Sequence, residues 1–190
     1  MSKKETILQT ALYLFNQHNF TSIGVDRIIQ DSNVAKMTFY KYYPSKEKLI
    51  QACLARRAEE IQSKINCNLE SFKDDDYLGK IKAIYSYYLN WFKSEQFNGC
   101  LFQKASINIL KQYPSLNQPI MDYRDWLHDL TETLFSGLKV KHTYILSSIF
   151  INILDGMTVY ANINKDHITI EKSWDYIESL ITIDQPQSGT

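Results

Sequence analysis

Between positions 36 and 46 stand Lys36, Met37, Thr38, Tyr40, Lys41, Tyr42 and Lys46. Three of these carry ammonium groups and three carry hydroxyls, so the run can neutralise and hydrogen-bond a polyanionic backbone. On this reading Thr38 and Tyr40 donate to phosphate oxygens, and Lys36 and Lys46 add charge. Met37, Thr38 and Lys41 would meet base edges, because base contacts specify and phosphate contacts position. Met37 can pack on a thymine methyl. Tyr43 reads as core packing, and Tyr42 stays open between packing and phosphate contact.

The surrounding run, VDRIIQDSNVAKMTFYKYYPSKEKL from Val25 to Leu49, supplies the elements that must place these groups. It reads as a short helix over Val25 to Asp31, a polar turn at Ser32 and Asn33, and a second short helix over Lys36 to Tyr42. Pro44 and Ser45 then open a longer helix at Lys46, with Ser45 as its cap. Gly24 caps the first short helix, and Val34 fills the space between the two. Asn33 sits where a left-handed residue is needed, which Asn tolerates better than most non-glycines. This is the layout of a helix-turn-helix that presents its second helix to a DNA major groove. A preceding helix over Lys3 to His18 has Ser2 and Glu5 as a capping box, each satisfying an orphan amide. Its apolar face is Ile7, Leu8, Ala11, Leu12, Leu14 and Phe15. Asn19 is the expected left-handed stop, and Phe20 the anchor after it.

The same run, extended to ILQTALYLFNQHNFTSIGVDRIIQDSNVAKMTFYKYYPSKEKLI over residues 7–50, resembles the TetR family of bacterial transcriptional repressors. The short second helix, the aromatic pair at Tyr40 and Tyr43 and the Pro-Ser-Lys-Glu start of the fourth helix carry the resemblance. It covers about a quarter of the chain. Lys46 resembles the family's phosphate clamp. The turn glycine common in the family is Asn33 here, the small capping hydroxyl is Ala35, and the glycine after Lys36 is Met37. The resemblance implies a DNA-binding head at 1–48 and a helical effector-binding and dimerisation domain at 49–190. It also implies dimerisation through the last two long helices.

The rest of the chain fits that division. The formal net charge of +0 hides an asymmetry. Residues 1–50 carry seven Lys/Arg against four Asp/Glu, a net of +3, and the remainder carries fourteen against seventeen, a net of −3. A basic end on an acidic body presents one face to a polyanion. With 44% hydrophobic and 22% charged residues the chain is long and apolar enough to bury a core. Six glycines, four prolines and sustained 3.6-residue periodicity indicate an all-α fold. Further helices are read at Leu78 to Lys93 after the acidic run Asp74 to Asp76, and at Cys100 to Lys111 after a Phe97-Asn98-Gly99 turn. Ile120 to Ser136 and His142 to Asn162 form a pair around a Gly137 turn. A last helix runs from Ile168 to Ile183, and the tail to Thr190 is expected to fray.

This larger part is rich in aromatics. Tyr85, Tyr88, Trp91, Phe92, Phe102, Tyr123, Trp126 and Phe150 are candidate contacts for an apolar or planar small-molecule effector, although each is equally an ordinary core residue. Asp155, a carboxylate in an apolar helix, needs a structural partner, solvent or a polar ligand. Gly156 beside it suggests a tight helix crossing. Leu127, Leu130, Leu134 and Leu138 make one stripe, and Ile145, Ile149, Ile153 and Met157 another; two such helices per subunit could build a four-helix interface.

Other classes find little footing. His18, His128, His142 and His167 are scattered, and there is no zincin motif, nucleophile elbow or glycine-rich phosphate loop, so no catalysis is expected. His128 near Asp125, Asp129 and Glu132 reads as solvated charge rather than a metal site. No metal and no cofactor are expected. Cys53, Cys67 and Cys100 form no CxxC pair, and with no recognisable signal peptide they suit a reducing cytoplasm. Cys100, within Gly99-Cys100-Leu101, reads as a packed thiol rather than a sensor. The run Tyr144 to Ile153 is broken by Ser147, Ser148 and Asn152, and no membrane association is expected. The expected partners are a double-stranded DNA operator, a small-molecule effector and a second copy of the chain. The competing reading, a helical adaptor or ligand-sequestering protein without DNA contacts, is weakened by intact Tyr40 and Lys46; an activator of the same family is the further alternative to a repressor released from a palindromic operator by its effector.

Overall fold

The computed structural model describes residues 1–164 and 168–186, and every described element is helical. The helices are α1 (Lys3–Gln17), α2 (Val25–Asp31), α3 (Lys36–Tyr42), α4 (Lys46–Leu69), α5 (Tyr77–Phe92), α6 (Leu101–Asn108), α7 (Asn117–Gly137), α8 (Thr143–Ile163) and α9 (Ile168–Asp184), with a 3-10 turn at Pro114–Leu116 before α7. Two compact units divide the chain. The first takes Met1–Ile61 with Asn98–Tyr123, and the second Gln62–Phe97 with Arg124–Thr190. His167 and the tail beyond residue 186 lie outside the described residues.

In the first unit, α1, α2 and α3 pack on one another. Ile7, Ala11, Phe15, Phe20, Ile28, Phe39 and Leu49 are fully buried there. Phe20 anchors the chain after α1, its ring 4.7 Å from that of Phe15. Asn19 is not left-handed; α1 ends instead at His18 in an extended conformation, its amide donating to the Leu14 carbonyl. Half of the expected capping box is present. Ser2 accepts from the Glu5 amide at 3.2 Å. The Glu5 carboxylate turns instead to the Arg56 guanidinium, which offers two donors at 2.6 and 3.0 Å. A forked charged partner outcompetes one backbone amide. Arg56 thereby holds Glu5 below the usual carboxylate range.

The second unit packs α5 against α8 and α9, and α8 against α9. Asp76 caps α5 through the Gly79 amide at 2.9 Å. α7 begins earlier than expected, because Pro119 falls in its first turn, where a missing amide costs nothing. Gly137 also stays inside α7 rather than making the turn. The Tyr77 ring lies where a Cβ on Gly137 would be. The left-handed residue of the α7–α8 turn is Lys139, with φ 57°. α6 stops at Asn108, three residues short of the expected end. The buried hydroxyls of Thr131 on α7 and Ser147 on α8 bond each other at 2.6 Å. Asp184, at the end of α9, accepts from the His142 amide at 2.8 Å and meets its ring nitrogen at 2.7 Å, pinning α9 to the start of α8.

By length and composition α8 is apolar enough to cross a membrane, its most apolar 18-residue stretch having a mean hydropathy of 1.3 despite Ser147, Ser148 and Asn152. A core helix meets the same criterion, and α8 buries Leu146, Phe150, Ile151, Leu154 and Ala161.

Candidate nucleic-acid interface

A seven-residue helix has too few internal hydrogen bonds to persist alone, so α3 depends on what it buries. It buries Phe39, whose ring meets Tyr40 edge-on at 5.3 Å and lies 6.3 Å from Tyr43. Tyr43, the C-cap, is buried as expected and donates its hydroxyl to the Lys4 carbonyl at 3.4 Å. Burial pushes that phenol up. The turn before α3 is made by Asn33 at φ 51°, the left-handed conformation the sequence demanded. Ser32 is buried, its hydroxyl donating to the Ile28 carbonyl at 2.6 Å. Ala35 caps α3 without a side-chain bond. Ser45 accepts the Lys48 amide at 3.1 Å at the start of α4.

With Phe39 inward, the expected reading residues turn outward together. Met37 is 82% exposed, Tyr40 40% and Tyr42 37%. Lys36 and Lys41 are exposed and Thr38 is half-buried. Lys46 differs. Its ammonium is half-buried and donates to the Phe20 carbonyl just past α1, and burial lowers its affinity for the proton. The sequence offered no sign of that carbonyl. It also hid the acids beside the cations. Lys36 Nζ lies 3.4 Å from Asp26 on α2, and Arg27 Nε lies 2.6 Å from Asp31.

Helix-turn-helix geometry now stands beside the match of residues 7–53 to the model of bacterial regulatory proteins of the tetR family. Residues 7–53 place this head in the TetR family. The repressor NemR of Escherichia coli K12 is 31% identical over 107 residues, 56% of this chain and 53% of that protein. An uncharacterised regulator of Bacillus subtilis, YuxN, is 40% identical over 52 residues, 27% of this chain and 18% of that protein. The chain spans about half the length of the curated NemR relatives it matches. Among solved structures, a TetR-family regulator from Streptomyces coelicolor superposes with a TM-score of 0.85 at 20% identity, covering 97% of this chain and 96% of that one. Reduced E. coli NemR gives 0.80 at 21%, covering 94% and 96%. At these identities the superpositions establish the TetR fold across both units.

The structure distributes the effector candidates over several places. Phe102 and Tyr123 belong to the first unit, stacked at 4.2 Å and 6°. Tyr85, Tyr88, Trp91, Phe92, Trp126, Phe150 and Asp155 belong to the second. Tyr88, Trp91 and Phe92 cluster with Phe97, the Trp91 and Phe97 rings 4.9 Å apart. Tyr85 is buried against Trp174 and donates its hydroxyl to the Ile170 carbonyl, and burial pushes its pKa up to about 12. Phe150 packs edge-on against Phe135 in the core. Asp155 is paired with Arg124 at 2.6 Å, the structural partner its apolar setting called for.

The apolar stripes also resolve. Leu127 and Leu134 of α7 are core, as is Met157 of α8. The outward apolar residues are Ile145, Ile149, Val159 and Ile163 on α8 with Tyr176, Leu180 and Ile183 on α9. Gly156 shares that outer face, and a Cβ there would meet nothing within the chain. A groove of about 420 Å³ lined by Asp129, Glu132, Thr133, Ser136 and Thr143 contains none of the expected effector residues. Cys53 is buried, which pushes its thiol up, while Cys67 is exposed.

Proposed function

We propose that this TetR-family chain is a dimeric repressor that binds a palindromic operator through α3 and leaves it when a small-molecule effector binds. The observation that carries the reading is the outward set of Lys36, Met37, Thr38, Tyr40, Lys41 and Tyr42 on a helix held from behind by Phe39. Lys41 and Met37 read bases; Tyr40, Tyr42 and Lys46 position the head on phosphates, with Lys46 exchanging its Phe20 carbonyl for the backbone. Two copies are needed because one short helix has little surface. The exposed apolar residues of α8 and α9 favour those helices as the subunit interface, since so much outward Ile, Leu and Tyr at helical spacing marks a contact surface. Residues 1–48 serve as the DNA-binding domain and 49–190 as the effector-binding and dimerisation domain. α4 is one continuous helix from the head into the second unit, which favours it as the route of coupling. An effector acts only by preferring a subunit spacing that misses the grooves. Such a protein works in the cytoplasm, beside the DNA it controls.

The test is a duplex panel read by fluorescence anisotropy. Lys41→Ala and Met37→Ala should reorder operator preference, whereas Tyr40→Ala and Lys46→Ala should weaken all duplexes alike, Lys46→Ala with a shallower salt dependence. Identical ranking in all four variants would refute the assignment.

A further inference from the structure

The cations of the head are not equally available. Arg27 is paired with Asp31 along α2, and Lys36, the first residue of α3, is paired with Asp26 from the start of α2. Lys41 is exposed and stands in no ion pair with an acidic side chain among the described residues. The side chain of Asp26 is 88% exposed and that of Lys36 66%, so their pairing does little to hold the fold. An exposed carboxylate on the face offered to a polyanion needs another account. The two side chains are 3.4 Å apart, so any phosphate reached by Lys36 lies within about one screening length (~8–10 Å) of Asp26.

We propose that Asp26 is a specificity-determining residue, holding Lys36 as a neutral pair so that the head has one fewer cation for DNA of arbitrary sequence. The inference rests on the DNA-binding reading above and deepens it. Non-specific complexes are held almost wholly by phosphate neutralisation, so withholding one lysine acts directly on them. On the operator, base contacts from α3 seat the helix in the groove, and the first residue of that helix is brought to the backbone. A long, solvated pair is readily exchanged there for a phosphate. Asp26 therefore costs non-operator complexes more than the operator complex.

The test is a double-substitution cycle on the full-length protein, with salt titrations on an operator duplex obtained by selection and on a scrambled duplex. Asp26→Asn should steepen the scrambled-duplex slope by about 0.9, one phosphate equivalent, and raise that affinity about tenfold near 50 mM salt, with a smaller gain on operator. Lys36→Gln alone should leave the scrambled slope unchanged and lower the operator slope. Lys36→Gln on the Asp26→Asn background should lower both. Asp26→Glu keeps the charge and should behave as the parent, which separates charge from folding. Equal slopes on scrambled DNA for parent and Asp26→Asn would overturn the inference while leaving DNA binding intact. So would equal gains on both duplexes. A parent protein with no salt-dependent duplex binding would overturn the DNA-binding reading itself.

Discussion

Phe39→Ala should release α3 while its neighbour Met37→Ala should not. Phe39 is fully buried and is the one buried residue within α3. Truncating a buried phenylalanine costs about 3–5 kcal/mol, from lost transfer energy and the cavity left behind. The rings of Tyr40 and Tyr43 flank it at 5.3 and 6.3 Å and can close only part of that space. A seven-residue helix has no reserve of its own, so the loss falls on local opening of α3. At about 1.4 kcal/mol per decade, the open fraction of the helix should rise by roughly two to three and a half orders of magnitude. Native-state amide exchange reads this directly at the Phe39 and Tyr43 amides, which donate to the Ala35 and Phe39 carbonyls. Tryptophan fluorescence is the wrong probe, since Trp91, Trp126 and Trp174 all belong to the second unit. Met37, 82% exposed, should change global stability by no more than about 0.5 kcal/mol when truncated. Exchange at α3 accelerated equally little by both substitutions, or a Phe39→Ala cost under about 1 kcal/mol, would refute the anchoring argument.

Further outcomes follow from the same contacts. Asn33→Val should cost about 1–2 kcal/mol because a β-branched residue resists φ 51°, whereas Asn33→Gly should be tolerated; urea midpoints at constant slope read both. Gly137→Ala should cost about 1–3 kcal/mol by driving a methyl into the Tyr77 ring, and Tyr77→Ala beside it should recover part of the loss in a thermal melt. Arg56 holds Glu5 below its ordinary pKa, so this pair contributes stability that is present above the unfolded carboxylate value and fades as pH falls through the lower folded value. Glu5→Gln should accordingly flatten the acid limb of a stability–pH profile below about pH 4.5 and leave its alkaline side unchanged.

The head was legible in the sequence because its signals are local. Asn33, Gly24, Ser45 and Tyr43 are short-range chemistry, and each does in the structure what its type suggests. Pairings across helices were not legible. Glu5 chose Arg56, Lys46 chose the Phe20 carbonyl and Asp155 chose Arg124, partners distant in the chain that no spacing announces. Periodicity likewise identified apolar stripes on α7 and α8 but not which faced out. Leu127 and Leu134 of α7 turned inward while Leu130 is half-buried, and the exposed stripe is shared by α8 and α9. Aromatic content marked residues of the core without assembling them. Tyr85 and Phe150 are bolted into packing, and Phe102 with Tyr123 stacks in a different unit from the rest.

Selection of bound duplexes from a random library tests the central claim most directly. The account predicts enrichment of an inverted repeat whose half-sites sit about one helical turn apart, about 34–36 Å, or a multiple of it. Its enrichment should be lost with Phe39→Ala and altered with Lys41→Ala. Recovery of no sequence above background at low salt, from protein whose α3 amides are protected, would contradict it.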